Sequence, residues 1–110
     1  MSKEQLTEAL ESYEPERMAE AIISSVYTER YEWILDQCVR FATHEHKTVR
    51  HSVALALGTI AIKGRGRLNL GLCLPLAGQL ERDWNEAVRV AAHDAREHSP
   101  RQKLQACHES

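Results

Sequence analysis

The sequence predicts an all-α fold of about six helices in three antiparallel pairs, stacked as a short α-solenoid. Two observations lead there. The first is an internal repeat: Val49-Arg50-His51-Ser52-Val53-Ala54-Leu55-Ala56 recurs 39 residues later as Val88-Arg89-Val90-Ala91-Ala92-His93-Asp94-Ala95. The same offset aligns Leu35 with Leu74, Cys38 with Ala77 and Phe41 with Leu80. A period within about 20–50 residues marks a stacked repeat, in which each unit needs its neighbours to bury its apolar side. The second is periodicity, because apolar residues recur at helical spacing almost throughout and no stretch alternates with period two.

The elements follow in order. Ser2-Lys3-Glu4-Gln5 has the form of a capping box, and Leu6, Ala9, Leu10 and Tyr13 follow it at helical spacing. Pro15 suits the first turn of a second helix, whose buried side is predicted at Met18, Ala19, Ile22, Ile23 and Val26. Thr28 is the predicted cap of a third helix, with Tyr31, Ile34, Leu35, Cys38, Phe41 and Ala42 inward, and Thr43 to Lys47 connects it onward. The fourth, Thr48 to Ile62, buries Val49, Val53, Ala56, Leu57 and Ile60, and it stops before Lys63-Gly64-Arg65-Gly66-Arg67, where two glycines favour a turn. A fifth runs from Asn69 to Arg82; its Pro75 predicts either a bend or a start near Leu74. After a turn at Trp84-Asn85, the last helix spans Asn85 to His98 and ends at Ser99-Pro100. One helical domain is thus expected, with a loose pair at 2–27, clear repeats at 28–63 and 68–98, and a tail at 99–110.

Composition narrows the class. Hydrophobic residues make up 43% and charged residues 27%, the balance of a folded chain rather than a disordered one. No run of about 18 apolar residues is present, so no membrane span is expected. The N-terminus lacks the basic-then-apolar order of a signal peptide. Cys38, Cys73 and Cys107 show no Cys-x-x-Cys spacing and read as reduced thiols of a cytoplasmic protein. Net charge is −2, but residues 1–37 hold nine acids against three bases, and residues 38–110 hold seven acids against eleven bases and all six histidines. One end is acidic and the other mildly basic, a field that can steer a charged partner.

The repeat carries a resemblance. Val49-Arg50, Val53, Ala56, Leu57 and Gly58, then Val88-Arg89, Ala92 and Ala95, are similar to the inner helix of the HEAT-repeat family, Val-Arg-x-x-Ala-x-x-Ala-Leu-Gly. Asp83 stands where that family has a turn Asp; His44 replaces it in the first copy, and Arg96-Glu97 replace Leu-Gly in the second. The resemblance implies that Arg50 or Arg89 pairs with Asp83 of a stacked unit. It also implies that the second helices of the pairs line a concave side. Contact candidates there are Glu20 and Ser24, then His51, Leu55 and Lys63, then Arg89, His93 and Arg96.

Residues with catalytic potential are few. Thr43-His44-Glu45-His46 with His51 and Cys38 matches no zinc spacing and reads as turn histidines. His93-Asp94 resembles the pair of the metal-dependent HD phosphohydrolases but lacks their further ligands. There is no Gly-x-Ser-x-Gly elbow or Walker loop, and the Lys63–Arg67 segment reads as an inter-repeat loop. No catalytic residue, metal or cofactor is therefore expected. The acidic residues, Glu16, Glu20, Glu32 and Asp36 among them, present a negative surface to a basic protein. A 110-residue chain beginning at Met1, with an acidic end and this architecture, resembles bacterial immunity proteins. Those are cytoplasmic inhibitors that neutralise a cognate toxin, often a basic nuclease. The alternatives are nucleic-acid binding through the basic C-terminal two-thirds, and a scaffold or lyase-type role like that of HEAT proteins acting on phycobiliproteins.

Overall fold

The structure, a computed structural model, describes residues 2–64 and 70–97, at 63–64 and 70–74 by their backbone. The described residues form six α-helices and no strand: α1 (Lys3–Leu10), α2 (Pro15–Ser25), α3 (Tyr31–Phe41), α4 (Lys47–Gly64), α5 (Leu70–Leu80) and α6 (Glu86–Glu97).

Helix α1 starts on the predicted capping box. The Ser2 hydroxyl accepts from Gln5 N at 3.2 Å, and Gln5 Oε1 accepts from Ser2 N at 2.9 Å. Leu6, Ala9 and Leu10 are buried. Tyr13 does not join them. It lies past the helix end with φ 59°, in the left-handed region, and is 90% exposed. Helix α2 opens on Pro15 and buries Met18, Ala19, Ala21, Ile22 and Ser25. Ile23, expected inward, is 37% exposed although Ala19 and Val26 on the same line of the helix are buried. The Ser25 hydroxyl is satisfied locally by donating to the Ile22 carbonyl at 2.7 Å.

The predicted Thr28 cap is corrected. The residue at the N-cap of α3 is Arg30, which makes no side-chain cap, and Thr28 instead donates to Glu29 Oε2 at 3.2 Å. The α2 chain is carried on by Glu29 N bonding to Ser25 O at 2.8 Å, which holds Thr28 inside that turn. Ile34, Leu35, Cys38, Phe41 and Ala42 are buried as expected, with Tyr31 and Trp33 packed at the margin.

Helix α4 is the hub, in contact with α2, α3, α5 and α6. That explains why burial on it exceeds one amphipathic stripe: Ala54 and Ala61 are buried along with the predicted Val49, Val53, Ala56, Leu57 and Ile60. Ser52 is buried too, and its hydroxyl donates to Val49 O at 2.6 Å. The helix continues to Gly64, past the predicted stop at Ile62. Arg65 to Asn69 lie outside the described residues. Helix α5 begins at Leu70, so Pro75 sits within it and does not delay its start to Leu74. The lost N–H costs one bond in the second turn, and the proline lies on an exposed side. Helix α6 is capped by Asn85, whose Oδ1 accepts from Val88 N at 3.2 Å, and it buries Val88, Ala91, Ala92 and Ala95. The predicted end at His98 and the tail from Ser99 lie outside the described residues.

α4 contacts α2 and α6 most extensively, α1 packs against α2, α3 against α4, and α5 against α6, with smaller contacts between α4 and α5, α2 and α3, and α3 and α5. The body measures 47 × 29 × 17 Å along its principal axes. One core runs through all six helices, from Leu6 to Ala95. Gly58 of α4 faces Ala95 of α6: a Cβ built there would stand 3.6 Å from Ala95 Cβ, an ordinary contact distance.

Candidate functional site

The turns before α4 and α6 share two hydrogen bonds in equivalent positions. Before α6, Asp83 Oδ2 accepts from Asn85 N at 2.8 Å; before α4, the equivalent His44 Nδ1 accepts from His46 N at 3.0 Å. Arg89 donates to the Asp83 carbonyl at 2.8 Å, and its counterpart Arg50 donates to the His44 carbonyl at 2.8 Å. The histidines of the first turn thus replace the Asp and Asn of the second as acceptors for backbone N–H groups, which requires the ring nitrogen to be unprotonated.

Arg50 goes further and crosses between the two units. Its Nε and Nη2 reach Asp83 Oδ1 at 2.7 Å and Oδ2 at 3.3 Å, a forked pair, while Nη1 also donates to Glu45 O at 3.0 Å. The side chains are 15% and 7% exposed, so the pair is largely shielded from water. Burial by itself pushes the Asp83 carboxyl upward. The Arg50 hydrogen bond, the Asn85 N–H and the positive charges of Arg50 and Arg89 together outweigh it and hold the group below its ordinary 3.8. The expected pairing of Arg50 with Asp83 is present; Arg89 serves its own turn instead.

A second charged cluster ties the start of the α5–α6 turn to the last turns of α6. Arg96 Nε lies 3.0 Å from Glu81 Oε1, and His93 lies 3.6 Å from Glu81 and 3.0 Å from Glu97. Glu81 Oε1 accepts no hydrogen bond despite that short distance, so the Arg96 contact is Coulombic and poorly aligned.

The predicted contact residues fall into three groups. Glu16, Glu20, Glu32 and Asp36 are exposed on α2 and α3, with Ser24 partly so. His51 and Leu55 line an open groove between α4 and α6, joined there by Glu86, Ala87, Val90, Ala91 and Asp94. Arg89, His93 and Arg96 are held by intramolecular partners and do not line that groove. The Lys63 side chain lies outside the described residues. Sequence reasoning missed Val90 and Asp94, although the 39-residue offset itself equates them with His51 and Leu55. It also missed Trp84, 97% exposed beside a shallow cleft at the two turns lined by His44, Arg50, Arg82 and Asp83.

Among the described residues no three His, Cys, Asp or Glu side chains gather into a group that could hold a metal ion. No helix among them is long and apolar enough to cross a membrane. With this geometry in hand, comparison of the chain with protein-family models, with curated proteins and with solved structures finds no match.

Proposed function

We propose that the chain is a non-enzymatic protein-binding module: a short HEAT-like α-solenoid acting as a small cytoplasmic inhibitor, in the manner of an immunity protein that neutralises a basic toxin domain. The observation that carries the reading is the successive packing of α2 on α4 and α4 on α6, with the Arg50–Asp83 clasp joining α4 to the turn before α6. Helices packed and clasped in this way are a rigid platform, and rigidity lowers the ordering cost of association. One detail favours a stacked repeat: the two turns share two equivalent hydrogen bonds, the backbone N–H accepted by His44 or Asp83 and the carbonyl bound by Arg50 or Arg89. The acidic side chains of α2 and α3 supply a negative field toward a basic protein. Nucleic-acid binding draws less support, since Arg50, Arg89 and Arg96 are engaged within the chain.

The test is affinity capture from the source cell, with the wild type and with a variant carrying Glu16, Glu20, Glu32 and Asp36 all changed to Lys. The expected result is one dominant basic protein, recovered with slower, salt-dependent association by the variant while its helical content is unchanged. Unchanged protein capture together with strong binding to DNA or RNA would replace this reading by the nucleic-acid one.

A further inference from the structure

We infer that the groove between α4 and α6 is a docking site for a basic–apolar–basic segment of a partner protein. The inference rests on the protein-binding reading and names the chemistry one face of it would recognise. The groove is a shallow depression of about 450 Å³, open to solvent, a shape that suits a side chain or two laid on a surface rather than an enclosed ligand. Its floor is apolar: Leu55 is 40% and Val90 54% exposed, flanked by Ala87 and Ala91.

The walls carry charge of one sign. Glu86, Val90 and Asp94 are four residues apart on α6, so they form one line, acid–apolar–acid, with the carboxylates ~12 Å apart along the axis. Neither carboxylate has an ion-pair or hydrogen-bond partner among the described residues, and His51 is the one basic side chain lining the groove. The neighbouring arginines are engaged elsewhere: Arg50 holds Asp83, Arg89 holds the Asp83 carbonyl, and Arg96 lies on Glu81, while Lys47, one turn before His51 on α4, is exposed and does not line the groove. Glu86 also suits the positive N-terminal end of α6, but Asp94, near the other end, has no such reason to be there.

An occupant that fits places an aliphatic side chain over Leu55 and Val90 and a Lys or Arg against each carboxylate. An extended segment does this with side chains at i, i+2 and i+4, which share one face and span ~13 Å. A helix does it at i, i+4 and i+8 over ~12 Å. A nucleic acid would meet two unscreened carboxylates, and an acidic peptide the same.

The test uses the full chain as bait for a displayed library of random 12-residue peptides, followed by fluorescence anisotropy with one enriched peptide. Enriched sequences are expected to carry an aliphatic residue between two Lys or Arg at one of these spacings. Binding should weaken at least tenfold in Leu55→Glu/Val90→Glu. It should weaken several-fold, with a flatter salt dependence, in Glu86→Gln/Asp94→Asn, a surface change that leaves the core untouched. Circular dichroism melts check that both variants fold. No enrichment, a different consensus, or equal affinity in the folded variants overturns the proposal, as does dimerisation seen by sedimentation and abolished by the Val90 change. The two readings fail separately: a captured partner that responds to the α2–α3 charge reversal but ignores both groove variants leaves the function standing and removes the groove.

Discussion

Breaking the clasp between Arg50 and Asp83 should cost the protein a substantial share of its stability. Removing one member of a fully buried ion pair costs about 3–5 kcal/mol, because the survivor is left charged and without its partner. Here Arg50 is 15% exposed and Asp83 keeps the Asn85 N–H, so Arg50→Ala should cost ~2–3 kcal/mol. Arg50→Lys keeps the charge but cannot fork to the carboxylate while also reaching the His44 and Glu45 carbonyls, and should cost about 1–2 kcal/mol. The double variant Arg50→Ala/Asp83→Ala should be less unstable than the sum of the singles, with a coupling of ~1–3 kcal/mol in urea melts. The folded pKa of Asp83 is lowered, so its contribution is full above the unfolded value of 3.8 and is lost as pH falls through the folded value. The stability gap between wild type and Asp83→Asn should therefore hold at pH 5–7 and narrow below about pH 4. A coupling under ~0.3 kcal/mol, within the additivity error, would refute a structural role for the pair.

Three further outcomes are expected. Leu57, fully buried in the hub helix, should cost about 2–5 kcal/mol when changed to Ala, read from denaturant midpoints. Gly58→Ala should be accepted, because the new methyl would lie at ordinary contact distance from Ala95; the gain in helix propensity should raise stability by ~0.5–1 kcal/mol, whereas Gly58→Leu should lower it. Tyr13→Gly should stabilise by about 1 kcal/mol by relieving a left-handed backbone at an exposed side chain, and a fall in the melting temperature would show that the tyrosine makes a compensating contact.

Much of the fold was legible because the signals were local. The capping box at Ser2–Gln5, Pro15 at a helix start and the inward stripe of α3 each depend on a few neighbouring residues. What escaped depends on neighbours distant in sequence. Ala54 is buried because α4 is packed on several sides, and Pro75 stays inside α5 because tertiary contacts with α6 and α4 offset one missing hydrogen bond. Thr28 has the right chemistry for a cap, but α2 extends its last turn through it. At the surface, the sequence marks residue types yet not their engagement. Arg89 and Arg96 looked available and are occupied, while Val90 and Asp94 become visible only when the repeat register is followed strictly.

The Arg50–Asp83 clasp gives the chain a polarity like that of a growing polymer. Arg50 reaches forward to a later turn, whereas Arg89, its counterpart, reaches only back to its own turn, and His44 offers an incoming arginine no carboxylate. The turn at His44 can accept no clasp of this kind, and Arg89 makes none among the described residues. A second copy of residues 47–85 inserted after Asn85 would bring its own Arg50 and its own Asp83, so each buried carboxylate would still meet an arginine. The array could then lengthen in steps of 39 residues without orphaning a charge at any joint.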